Sequence, residues 1–164
     1  MRHLGVIGFV TTSLLAPTVA RADVITDWNE TAVDVGRKLG LGPNAATRLI
    51  AITEVAVFEA VNSVGREYQP YQAYITPAGP VDLEVAAAQA AHDVLFALAP
   101  SRASDLDDQL QSLLATKLDG AEKTNAIELG FLSASSIYVR RLSDGSTASV
   151  SYPGSSDIGK WRPT

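Results

Sequence analysis

Cysteine is absent from the 164 residues, and histidine occurs only twice, at His3 and His92. The first absence excludes a disulfide framework, a zinc ribbon and a thiol nucleophile; the second excludes a multi-histidine metal cage. Positive charge is also scarce, with 13 Lys and Arg against 18 Asp and Glu. The cations are adjacent only at Arg37-Lys38 and Arg140-Arg141, so no basic stripe is available to follow a phosphate backbone, and nucleic acid is excluded as a partner. Glycine-rich phosphate loops of the Gly-x-Gly-x-x-Gly and Gly-x-x-x-x-Gly-Lys-Ser/Thr types are missing, as is the Gly-x-Ser-x-Gly elbow of serine hydrolases. No repeat of fixed period occurs.

One long apolar run is present. Met1-Arg2-His3, the run Leu4 to Leu15 and the closing Ala20-Arg21-Ala22 read as a secretory signal peptide over residues 1–22, with cleavage after Ala22. The run is shorter than the roughly 20 residues a spanning helix needs. The expectation is a bacterial-type periplasmic or secreted protein with no membrane span in the mature chain. Removing residues 1–22 takes away Arg2 and Arg21 and no acid, which leaves 11 positive and 18 negative charges, a net of −7. Asn29-Glu30-Thr31 matches a glycosylation sequon, a short match that carries no weight beside a bacterial-type leader.

The mature chain reads as all-α, a bundle of about five helices in a domain over residues 23–145, followed by an extended linker over 146–164. A first helix is expected from Thr26 to Leu39, capped by Thr26 or Asp27, with Trp28, Ala32, Val35 and Leu39 on one stripe. A second, Asn44 to Val64, is apolar almost all round and is expected at the centre of the bundle. Its Glu54, Glu59 and Asn62 must find partners there; Glu59 and Asn62, three apart, are expected to be satisfied by neighbouring helices and loop backbone rather than to be catalytic. The stretch Gly65 to Pro80 carries Tyr68, Tyr71 and Tyr74 among prolines and is expected to wrap the bundle, with a ligand platform as the alternative.

A third helix, Asp82 to Leu98, is alanine-rich and stopped by Pro100. The fourth opens at Ser101 or Ser104 and lines Leu106, Leu110, Leu113, Leu114 and Leu118 on one stripe. Its Asp105, Asp107 and Asp108 do not converge as oxygen ligands on a helix, so a solvated capping face is expected rather than a cation site. The fifth, Ala121 to Leu142, contains Gly130, which predicts a tight crossing. His92 lies beside Ala88 and Phe96 with no nucleophile placed for it, so it is expected to pack rather than to act as a base.

Several segments together resemble a known family. They are Asp27-Trp28-Asn29, Arg48-Leu49-Ile50-Ala51, Val57-Phe58-Glu59-Ala60-Val61-Asn62, Tyr68-Gln69-Pro70-Tyr71, the Ala86-Ala87-Ala88 helix ending at Leu98-Ala99-Pro100, Asp119-Gly120, Gly130, Arg141 to Asp144-Gly145, and Gly159-Lys160-Trp161-Arg162-Pro163-Thr164. In order and spacing they are similar to the N-terminal helical region of exported vanadium-dependent haloperoxidases. These belong to the superfamily that includes the type-2 phosphatidic acid phosphatases.

The resemblance implies an all-helical enzyme that binds vanadate and uses peroxide to oxidise halide, or that hydrolyses phosphate esters. The family holds its oxyanion with Lys-x6-Arg-Pro, Pro-Ser-Gly-His and Ser-Arg-x5-His-x3-Asp motifs, and none is present. In Lys160-Trp161-Arg162-Pro163 the spacing differs, because the residue seven before Arg162 is Ser155. Lys117, on the stripe of the fourth helix, and Ser133-Ala134-Ser135-Ser136 also depart from the pattern. No catalytic, cofactor-binding or metal-ligating residue is therefore assigned in this chain.

The expectation is a non-catalytic scaffold whose partner is a missing C-terminal catalytic half, with vanadate implied for the full-length protein only. The alternatives are the N-terminal part of an acid phosphatase of the same superfamily, and a complete periplasmic helical binding or adaptor protein that uses the tyrosine loop.

Overall fold

A computed structural model describes residues 23–151 and 154–160. The expected signal peptide, and Trp161 to Thr164 of the expected linker, lie outside the described residues. Five α-helices follow one another, with no strand among the described residues: α1 (Val24–Lys38), α2 (Pro43–Gly65), α3 (Leu83–Leu98), α4 (Ala103–Leu114) and α5 (Ala121–Arg141). A 3-10 turn, Pro100–Arg102, leads into α4.

The helix ends follow local chemistry. Asp23 caps α1 by accepting the Thr26 N–H at 2.9 Å, so the helix starts two residues earlier than expected and neither Thr26 nor Asp27 is the cap. It ends at Lys38, and Gly40, with a φ of +63°, lets the chain turn back so that the Leu41 N–H reaches the Gly36 carbonyl at 3.0 Å. Pro43 sits in the first turn of α2, where a missing N–H costs nothing. Asp82 caps α3 by accepting the Glu84 and Val85 N–H groups. α4 has no side-chain cap, and neither Ser101 nor Ser104 serves as one.

The centre of the bundle is α3 rather than α2. It packs on each of the other four helices. Val85 to His92, Val94 and Leu95 are all buried, whereas Ile50, Val55 and Phe58 of α2 are half-buried and Ala51 and Val64 are exposed. Small side chains explain the difference, because alanine on both sides of a helix lets several neighbours approach its backbone at once. One close approach is at Gly130 of α5. A Cβ there would stand 2.6 Å from the Gln89 Cβ and 2.7 Å from the Ala86 carbonyl oxygen.

α4 ends at Leu114, so Leu118 is not part of its stripe and is almost fully exposed. The helical period continues in the sequence, but the backbone has left the helix and no core surface faces Leu118. Lys117, in the same turn, pairs with Asp82 and Glu84 across to the start of α3. After Arg141 no helix or strand occurs among the described residues. None of the described helices is long and apolar enough to cross a membrane.

Candidate functional site

Glu59, Asn62 and Ser63 are buried polar residues of α2, spaced three and four apart and hence on one face. All three are aimed at the backbone of the connection between α2 and α3. The Asn62 Nδ2 donates to the Tyr68 carbonyl at 2.8 Å while its Oδ1 accepts the Tyr68 N–H at 3.0 Å. The Glu59 Oε1 accepts the Tyr71 N–H and, at 3.3 Å, the Gln72 N–H. The Ser63 Oγ accepts the Ile75 N–H at 3.0 Å. A connection without secondary structure of its own must place its backbone groups somewhere, and here three side chains receive them. Glu59 and Asn62 are thus satisfied by loop backbone, as expected; Ser63 was not anticipated, because its role depends on where Ile75 falls.

The three tyrosines do not form one platform. Tyr68 lies 6.4 Å from Phe58, ring to ring, and is mostly exposed. The Tyr71 hydroxyl accepts from Arg141, and the Arg140 and Arg141 guanidinium groups lie over its ring at 5.9 and 5.4 Å. Tyr74 donates its hydroxyl to the Tyr68 carbonyl at 2.7 Å and carries Arg66 over its ring at 5.3 Å. Gln72 reaches across to the Ser136 carbonyl of α5 at 3.1 Å. The segment acts as a strap, fastened to α2 along one edge and to α5 along the other.

His92 is the second cluster. Its Nδ1 is 2.8 Å from the Asp93 Oδ1 and its Nε2 is 2.9 Å from the Asp107 Oδ1, and the buried Trp28 meets the imidazole edge-on with centroids 6.2 Å apart. Burial pushes the imidazole pKa down, but hydrogen bonds to and charge on Asp93 and Asp107 outweigh it, and the net direction is up. The two carboxylates favour the protonated ring, and both of its nitrogens are engaged by them, which fits a clasp between α3 and α4. Gln89 also donates to the Asp93 Oδ1 at 2.8 Å, whereas the Asp93 Oδ2 is buried without a hydrogen bond. The cluster lines a cleft of about 550 Å³ walled by Phe96, Phe131, Ser135 and Tyr138.

The three aspartates of α4 are all exposed, as expected of a solvated face, with Asp105 pairing with Arg102. Asp107 in addition reaches His92 and so ties α4 to α3, which the sequence reading did not include. Asp93 follows His92 directly in the sequence, but the sequence reading did not single it out; Asp107, on another helix, carried no sequence signal. Among the described residues no group of three or more His, Asp or Glu is arranged to hold a metal ion. The remaining candidate, Glu54, has burial pushing its pKa up, partly offset by the nearby Asn29 amide.

Cations are dispersed as well. Arg48 binds Asp144 at 2.8 Å and the Arg141 carbonyl at 3.0 Å, closing the end of α5. Lys38, Lys117 and Lys123 each pair with a carboxylate. An oxyanion such as vanadate needs several converging Lys and Arg donors and an imidazole nitrogen. Here the imidazole faces two carboxylates and its cleft has no Lys or Arg in its wall, so the described residues do not fit that group. Comparison with known proteins finds no match: no family model, no curated protein and no solved structure is significantly similar to the chain.

Proposed function

We propose that this chain is the N-terminal helical scaffold of an exported, vanadium-dependent haloperoxidase-like protein whose catalytic half lies outside these 164 residues. In this reading the chain neither binds vanadate nor turns over peroxide. It positions a second set of helices that carry the oxyanion site.

The observation that carries the reading is the outer face of α5. Phe131, Leu132 and Val139 in the C-terminal half of this helix, and Leu142 just after it, are each at least 40 % exposed, and Phe96 of α3 adds a further exposed ring. Scattered exposed leucines need no explanation, but several large apolar side chains grouped on the second half of one helix favour a partner surface. The residues that carry the family resemblance also support a scaffold. Arg48, Glu59, Asn62 and the Tyr68 to Tyr71 segment close a helix end and fasten the strap, which are structural tasks.

The test is made on the purified chain with vanadate, hydrogen peroxide and bromide. No bromide-dependent peroxide consumption and no stoichiometric vanadate uptake are expected. Both are expected of a longer product whose reading frame continues past the Thr164 codon into a Pro-Ser-Gly-His block. Robust bromination by the 164-residue chain, or a stop codon directly after Thr164, would overturn the proposal.

A further inference from the structure

A groove of about 410 Å³ lies between the start of α1, the second half of α2 and the first turn of α3. Ile25, Val57, Phe58, Val61 and Leu83 wall it, and Tyr68 of the strap closes one side with its ring tilted against Phe58. A volume of this order is typical of sites for small organic ligands. Two charged groups reach it, Glu54 and Glu67, and both are carboxylates. No Lys or Arg lines it among the described residues.

Glu54 is the unusual member. Its carboxylate sits among valine and phenylalanine side chains, and its compensation is a neutral amide, Asn29. Arg66, a nearby cation in sequence, is engaged elsewhere: its guanidinium bonds the Thr76 hydroxyl at 2.9 Å and lies over the Tyr74 ring. A partly desolvated carboxylate without a counter-ion favours a cation brought by a ligand, because a charge-assisted bond is strongest where water is excluded. The aromatic rings of Phe58 and Tyr68 in the wall are compatible with the same preference, since a ring face attracts a cation. The apolar walls demand a hydrophobic body. An anion is disfavoured by both glutamates, and a neutral hydrocarbon would strip water from Glu54 and give nothing back.

We propose that this groove is a binding site for small amphiphilic amines, with the apolar body against Val57, Phe58 and Val61 and the ammonium against the Glu54 carboxylate. The site is separate from the α5 face and does not depend on the chain being part of a haloperoxidase-like protein.

The experiment titrates the full chain with 4-phenylbutylamine and with two probes of like shape, 4-phenylbutanol and 4-phenylbutyrate, read by calorimetry and by backbone amide shifts. Saturable binding of the amine is expected, with the alcohol about tenfold weaker and the carboxylate weaker still, and with shifts centred on residues 54–68. Glu54→Gln is expected to weaken the amine about tenfold and to leave the alcohol unchanged; circular dichroism establishes that the variant is folded. Val61→Trp, which fills the groove, is expected to abolish binding of both. Equal affinity for amine and alcohol, an unaltered amine affinity in Glu54→Gln, shifts confined to the α5 face, or no saturation up to about 10 mM overturns the proposal.

Discussion

Replacing Gly130 by alanine sets two known effects against each other at one atom. In a helix interior the change is worth about 1 kcal/mol in favour of alanine, because glycine loses more backbone freedom on folding. Against this stands the crossing of α5 on α3, where the new Cβ meets the Gln89 Cβ at 2.6 Å, the Ala86 carbonyl oxygen at 2.7 Å and the Ala90 nitrogen at 3.0 Å. All three atoms are main chain or fixed to it, so none can swing aside as a flexible side-chain end would. To restore ordinary contact distances, α5 must withdraw by the better part of an ångström from the helix it packs on most extensively.

Overpacking of this kind costs roughly 1–3 kcal/mol, and a rigid obstacle on α3 places Gly130→Ala at the upper end. After the helix-propensity gain the net loss is about 2 kcal/mol, or roughly 8 °C in Tm for a domain of this size. Gly36→Ala is the internal control. Gly36 is also a buried helical glycine, but its Cβ would meet only the Ala46 Cβ, at an ordinary 3.6 Å, so the propensity gain stands alone and the variant is stabilised by about 1 kcal/mol. Urea unfolding of the two variants beside the parent chain measures both signs at once. If Gly130→Ala matches or exceeds the parent in stability, the close crossing is not a constraint and the packing of α5 on α3 has been misread.

Asn62→Ala removes both hydrogen bonds to Tyr68, so that its N–H loses its acceptor and its carbonyl keeps only the Tyr74 hydroxyl, at a cost of about 1–3 kcal/mol; limited proteolysis is expected to cut within residues 66–80 well below the unfolding temperature. For His92 the raised pKa sets the sign of the pH dependence: its stabilisation is complete below the unfolded value near 6.5 and is lost as pH rises through the higher folded value. Unfolding free energy should therefore decline from about pH 6.5 upward, and His92→Gln should flatten that slope; an identical slope in both proteins would refute the raised pKa of His92.

The helices were largely legible in the sequence because their ends carry strong punctuation. Gly42-Pro43, Asp82, Pro100 and Gly120 each leave little freedom about where a helix starts or stops, and α2, α3 and α5 begin and end within one residue of expectation. The start of α1 was ambiguous, since Asp23, Thr26 and Asp27 are all competent caps within five residues and only the backbone shows that Asp23 holds the position. Leu118 misled because periodicity in a sequence persists whether or not a surface exists to receive it. Centrality was also misassigned: a continuous apolar circumference marked α2, whereas the many alanines of α3 allow closer approach from all sides.

The polar clusters divide in the same way. Glu59 and Asn62 announced themselves as buried polar residues, and nearby loop backbone was the natural place for their bonds. The His92 clasp depends on Asp107, fifteen residues away on another helix, and on Trp28 from a third. Nothing in local spacing brings those three together; the packing of α1 and α4 on α3 does.

The strap has a consequence for the order in which the chain assembles. Its fastenings to α2 join residues only 6, 12 and 13 positions apart, so the entropy lost in closing them is small. The docking of α5 joins residues far more distant along the chain, and its glycine contact can form only once α3 presents a finished backbone. The α2–strap–α3 segment is accordingly the natural nucleus, able to organise on its own short loops, and α5 is the late arrival that locks it.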